Sequence, residues 1–187
     1  SATTIIIFSI YAYISIQAQR DVLIAELHRQ ADQLSQTIKM SAHDDMMANN
    51  RGHLQKTLTT IGQEDCIKQV RILNKEGAIT YSNNENEIGN MVNKKAESCY
   101  KCHAEDEPIQ KLSINERARF FKLHPDSARV MGIINSIENE KSCWEADCHA
   151  HSKDQTVLGV LDISVSLEEV DDLTAASSNR VILFALL

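Results

Sequence analysis

Apolar residues stand at Ile24, Leu27, Ala31, Leu34 and Ile38, in steps of three and four along an otherwise polar stretch. That spacing predicts a helix from Arg20 to about Met47 with one buried stripe. NNRG interrupts the pattern, and a shorter helix carrying Leu54, Leu58 and Ile61 follows, closed by Gly62. The period then drops to two. IKQVRIL, the turn cluster NKEG and AITYS form a β-hairpin signal. SINE at 113–116 has the Ser-x-x-Glu form of a capping box and predicts a short helix through Phe121, ended by His124-Pro125-Asp126. VMGIINSI at 130–137 and TVLGVLDISVSL at 156–167 read as two more strands, and EEVDDLTAASSNR as a closing helix. The expected class is α+β: one long helix ahead of an antiparallel sheet of at least four strands.

Both ends of this pattern turn apolar. Residues 1–16, SATTIIIFSIYAYISI, carry no charge and stop at the polar run QAQRD. A bilayer span needs about 20 apolar residues, so the stretch reads as a transmembrane helix with its start cut off. It lacks the basic start and the small-x-small site of a signal peptide. VILFALL after Arg180 reads as the start of a second, truncated span. The expected organisation is a first span over 1–19, membrane-proximal helices over 20–60, an extracytoplasmic domain over 61–168, and over 169–187 a helix entering the second span. A sustained apolar stripe on a helix beside a membrane also suits packing against a twin subunit, so a homodimer is expected.

Composition narrows the class of protein. The formal charge of −7 and pI near 5.5 exclude the basic surface that nucleic acid binding needs. Aromatic residues make up only 5% of the 187 residues, which leaves few large side chains for a core; an embedded cofactor is one remedy. No nucleophile stands with a base partner, so no catalysis is expected of this region.

The informative chemistry lies in four of the five cysteines, set as CYKCH at 99–103 and CWEADCH at 143–149. In Cys-x-x-Cys-His two thiols add across the vinyl groups of one haem and the adjacent imidazole reaches its iron. Cys99, Cys102 and His103 fit that logic fully. Cys143 and Cys148 are separated by four residues, a longer loop that still presents two sulfurs, and His149 stays contiguous. The expected cofactors are two haem c groups, with His103 and His149 as proximal iron ligands. Competing readings are a zinc site of four thiolates, a thioredoxin-like dithiol, and two plain disulfides. None of these needs a histidine after each pair, and 7 histidines in 187 residues seldom fall so by chance. Cys66 is the odd cysteine and reads as a partly buried small apolar residue.

Each iron has a second axial position. Met40, His43 and Met47 share a helical face, with Met46 alongside, so the end of the long helix offers thioether and imidazole ligands. His124 and His151 lie near the clusters in sequence. His151 is too close to His149 to cap the same haem, but it is able to serve the other.

VRILNKEG, EIGNMVNKKAESCYKCH, IINSIENEKSCWEADCHAH and VLGVLDISVSLEEVD resemble the extracytoplasmic dihaem sensor region of bacterial transmembrane signalling proteins, chiefly histidine kinases. The resemblance runs from about residue 38 to the C-terminal apolar run. It implies a PAS/Cache-like sheet carrying two covalent haems, flanked by transmembrane helices and anchored in the bacterial inner membrane. The main domain would lie in the periplasm, with a cytoplasmic output module after the second span. The implied function is detection of redox state or of a small diatomic gas, with signalling across the membrane. The alternative is a membrane-anchored dihaem cytochrome that exchanges electrons with a redox partner.

Overall fold

The computed structural model describes residues 2–93, 114–145 and 151–186. In chain order the elements are helices α1 (Ala2–Met47) and α2 (Arg51–Ile61), strands β1 (Ile67–Asn74) and β2 (Ile79–Ser82), and a 3-10 turn at Glu85–Glu87. Helix α3 (Ile114–Arg117), strands β3 (Ala118–Lys122) and β4 (Arg129–Glu138), helix α4 (Lys141–Trp144), strand β5 (Val157–Ser166) and helix α5 (Glu168–Leu186) complete the order. The five strands form one antiparallel sheet in the order β2-β1-β5-β4-β3.

The helical stripe and the strand alternation meet on one face of this sheet. Ala31, Ile38 and Ala42 of α1, with Leu54 and Leu58 of α2, pack on Val70, Ile72, Met131, Ile133, Leu161, Ile163 and Val165. Small residues on α1 let its backbone lie close to the strands, while α2 supplies the larger side chains. Asn49 takes a left-handed turn at φ 52°, and the Asn50 side chain accepts from the His53 N–H at 3.2 Å, so α2 starts afresh with its own cap. Where α2 ends, a Cβ on Gly62 would sit 2.3 Å from Asn83 Cβ. That close approach lets Asn83 Oδ1 accept from the Val70 N–H at 2.8 Å and stitches the helix end to the sheet.

Two expectations change. The helix expected through Phe121 stops at Arg117, and Ala118–Lys122 form a fifth strand paired with β4 from Ala118↔Ile133 to Lys122↔Arg129. A single helical turn gains little against its nucleation cost, whereas these residues gain a full ladder and place Arg119 inside the sheet. Ser113, the expected cap, lies outside the described residues. The apolar N-terminal run and the amphipathic helix after it form one continuous helix, roughly 70 Å long by its 46 residues. Ile7, Tyr11 and Tyr13 at its start are well exposed. Among the described residues no helix is long and apolar enough to cross a membrane.

Strand direction separates two ends of the domain. At one end lie the 123–128 turn, the start of α5 and the Leu167 N–H, which donates to Arg129 O at 2.9 Å. Here Arg129 Nε donates to Asp171 Oδ2 at 3.1 Å, tying β4 to α5, and that carboxylate holds the guanidinium above its ordinary pKa by accepting its hydrogen bonds. α5 then packs along α1, so the entering and leaving helices lie side by side. At the other end lie the β1–β2 turn, the β4–β5 connection and the C-terminal turns of α1.

Candidate functional site at the far end of the sheet

The last turns of α1 carry His43, Asp45, Met46 and Met47 past the end of the strands. His43 Nε2 lies 3.1 Å from Ser142 Oγ on α4, which fastens the long helix to the residue before Cys143. Cys143 is a free thiol and buried. Met46 packs against the core. Beside it opens a cavity of about 640 Å³ lined by Met46, Leu54, Ile72, Tyr81 and Ile137, with His151 on its wall. Asp45 also lines it and holds His53 Nδ1 at 2.8 Å. The structure therefore brings His43, Met46 and His151 to the end of the sheet where Ser142 and Cys143 stand.

The first cluster is flanked at the same end. Val92 N–H donates to Gly77 O at 2.9 Å in the β1–β2 turn, just before the chain leaves the described residues. It re-enters at Ile114 in α3, which leads into β3, paired with the N-terminal half of β4. Cys99, Cys102, His103, Cys148 and His149 lie outside the described residues.

Three other candidate ligands are placed differently. Met40 is largely exposed, and Met47 is half-buried without lining the cavity. The three-and-four face of Met40, His43 and Met47 is thus not the face that meets the cavity; Met46 alone of the four does so. His124 is exposed in the 123–128 turn, at the opposite end of the sheet from Cys143. Cys66 is exposed rather than partly buried, next to β1, where its carbonyl accepts from Ser166 N–H at 2.7 Å.

The face of the sheet away from α1 holds a buried ion cluster that strand alternation did not disclose. Asp162, fully buried in β5, accepts from Arg71 Nε at 2.9 Å and from Arg119 Nη2 at 2.5 Å. Glu87 lies 3.8 Å from Arg71 and accepts from Ser82 Oγ. A Cβ on Gly132 would come within 2.8 Å of Arg119 Cζ, so the glycine makes room for the guanidinium. The visible signal was one Asp inside the apolar run VLGVLDISV.

The donor types present at this end are ones that haem c uses. Cys143 is a buried thiol that follows Ser142, the residue His43 contacts. The Met46 thioether and the His151 imidazole line the apolar cavity, which neither His43 nor Cys143 lines. Comparison with known proteins supports the architecture. No protein-family model matches the chain, and no curated protein is similar to it. The fold is similar to the crystal structure of the extracellular domain of vpHK1S-Z8, assigned as a histidine kinase. The TM-score is 0.51 over 89% of this chain, at 14% identity. The chain spans 59% of that structure's length. The extracellular domain of rpHK1S-Z16, assigned likewise, aligns over 82% of this chain and 64% of its own at 14% identity; its TM-score of 0.36 carries no weight for the fold. The likeness establishes the fold, an α+β domain with a helix backing a five-strand antiparallel sheet.

Proposed function

We propose that this chain is the extracytoplasmic haem c sensor region of a transmembrane signalling protein, responding to redox state or to a small diatomic gas. The observation that carries the reading is the contact between His43 at the end of α1 and Ser142 beside Cys143, with Met46 and His151 on one cavity next to it. In this reading Cys99 and Cys102 hold one haem and Cys143 and Cys148 the other, with His103 and His149 on the proximal sides. Bound haem iron supplies one-electron exchange and, where an axial position is open, gas binding. Met46 and His151 are the distal candidates that the cavity offers, His151 to the first haem only, since it stands two residues from His149. His43 anchors α4, and Asp45 fixes His53 at the cavity rim.

The same geometry favours a sensor over an electron carrier. α1 runs unbroken from the candidate site, past the sheet, to the side of α5. A carrier has no use for such a rod, whereas a receptor needs one to move a distant output. The resemblance of the cysteine segments to dihaem sensor regions, and the likeness of the fold to a histidine kinase extracellular domain, support placement outside an inner membrane. A homodimer would let two protomers add their biases, since a shift from 1:99 to 99:1 takes about 5.5 kcal/mol.

The test is a pyridine haemochrome spectrum of protein matured in a host with c-type haem attachment. Two covalent haems per chain are expected. Colourless protein, or protein carrying zinc, overturns the reading.

A further inference from the structure

α1 meets the sheet through apolar residues along most of its contact, but a polar seam interrupts them. Asn135 on β4 and Ser35 on α1 are both buried, and Asn135 Nδ2 donates to Ser35 Oγ. Asn135 Oδ1 accepts from Gln36 Nε2 at 3.3 Å and from Arg117 Nη1. The same Arg117 nitrogen lies 3.2 Å from Asp32 Oδ1, with each side chain only 16% exposed. Three residues of α1 thus converge on one strand asparagine and on the last residue of α3, the first described element after the CYKCH segment.

Apolar residues would hold a helix on a sheet at less desolvation cost than these groups do. What polar partners add is register. Alanine and isoleucine tolerate a small slide of the helix along the strands, whereas each hydrogen bond here is satisfied at one axial position only. Arg117 is the member not carried by α1 or β4. Any displacement of α3 pulls the guanidinium from Asn135 and leaves the Asp32 carboxylate, only 16% exposed, without its counter-charge, which favours a shift of α1 that lets Asp32 reach water.

We propose that Asp32, Ser35, Gln36, Asn135 and Arg117 form a register lock between α1 and β4, through which the chain leaving the first cysteine cluster controls the position of the long helix. The part of this inference that concerns redox control rests on the haem reading above.

The experiment is hydrogen exchange followed by mass spectrometry on the full-length protein in nanodiscs, oxidised with ferricyanide and reduced with dithionite, with visible spectra recorded in parallel. Arg117→Gln is expected to speed exchange of α1 amides around residues 32–39 by about tenfold, while β1 and β5 stay protected. The difference between oxidised and reduced protein in that stretch is expected to disappear, with both haem potentials unchanged. Asp32→Asn keeps the shape and removes the ion pair, and is expected to act in the same direction should Arg117→Gln fail to fold. Coloured protein in which neither variant loosens α1 overturns the lock. Variants that loosen α1, beside a coloured wild type that shows no redox difference in that stretch, overturn the control, not the contact. Colourless protein in which the variants still loosen α1 supports the lock and overturns the haem reading alone.

Discussion

His43 Nε2 on α1 and Ser142 Oγ on α4 are 3.1 Å apart, although 99 residues separate them in sequence. This contact places the end of the 46-residue helix against Ser142, the residue before Cys143. Met46, one turn on, reaches the cavity that His151 also lines, while Met47 does not. Met46→Ala is therefore expected to alter the spectrum and potential of one haem and leave the other untouched, with Met47→Ala near wild type. The shift should be a sizeable part of the roughly 0.8 V over which axial ligands tune haem potentials. Redox titration followed at the haem bands checks it; two unshifted potentials in Met46→Ala would remove Met46 as a ligand.

Asp162 is clamped between two guanidiniums on the face away from α1. Arg119 is itself buried, and Arg71 is nearly so. Asp162→Ala leaves like charges facing each other away from water. The expected loss is about 3–5 kcal/mol, the usual cost of removing one partner from a buried ion pair. Urea unfolding of the matured protein measures it. A loss below about 1 kcal/mol would mean that water reaches the cluster freely.

Gly132 lies under the same Arg119. A methyl there meets Phe121 Cε1 at 2.7 Å and Arg119 Cζ at 2.8 Å, so Gly132→Ala has to push the guanidinium off Asp162. The expected cost is about 1–3 kcal/mol. Because both changes act through Arg119, the Gly132→Ala, Asp162→Ala double variant should cost less than the two singles together. Strict additivity in the unfolding free energies would show that Gly132 matters only for its backbone.

These buried charges also mark where reading the sequence stopped short. The helices at Leu27–Ile38 and Leu54–Ile61, the hairpin and the two long strands were legible because burial on one face imposes a period on the chain. β3 was not. Its Ala118 packs on the core under α1 while Arg119 and Phe121 lie on the other face, and a buried arginine looks like a solvent position until Asp162 is known to face it. The polar seam was hidden for the same reason, since Asn135 interrupts VMGIINSI without revealing that Ser35 waits across the interface. The cysteine clusters stood out in the sequence as candidate haem attachment sites, and Met46 and His151 stood among several candidate ligands. Only the packing of α1 on the sheet separates Met46 from Met40, and only the pairing of β3 with β4 puts His124 in the turn at the other end.

Asn50 links fold and site. Its side chain caps α2 through the His53 N–H, and His53 in turn is held by Asp45 at the cavity rim. Asn50→Ala is expected to lower stability by about 1 kcal/mol. Asn50→Gly should lower it by only a few tenths of that, since glycine tolerates cap backbone geometry. Thermal melts of the two variants side by side decide; equal losses would show that the side-chain hydrogen bond contributes nothing.

Haem attachment as proposed would take place at two separate connections of the sheet, which implies independence. CYKCH lies between β2 and α3, whereas Cys143 stands in α4, within the β4–β5 connection. A thioether at one cluster therefore requires no cysteine from the other. Replacing Cys143 and Cys148 together by alanine should halve the haem absorbance per chain, and replacing Cys99 and Cys102 should remove the other half. A zinc site built from four thiolates behaves oppositely, since either pair of substitutions abolishes binding entirely. Haemochrome absorbance and zinc content measured on the same samples separate the two outcomes. Cys143 is buried and small, so its change to alanine leaves too little space to unfold the domain, and a halved signal would report attachment rather than loss of fold.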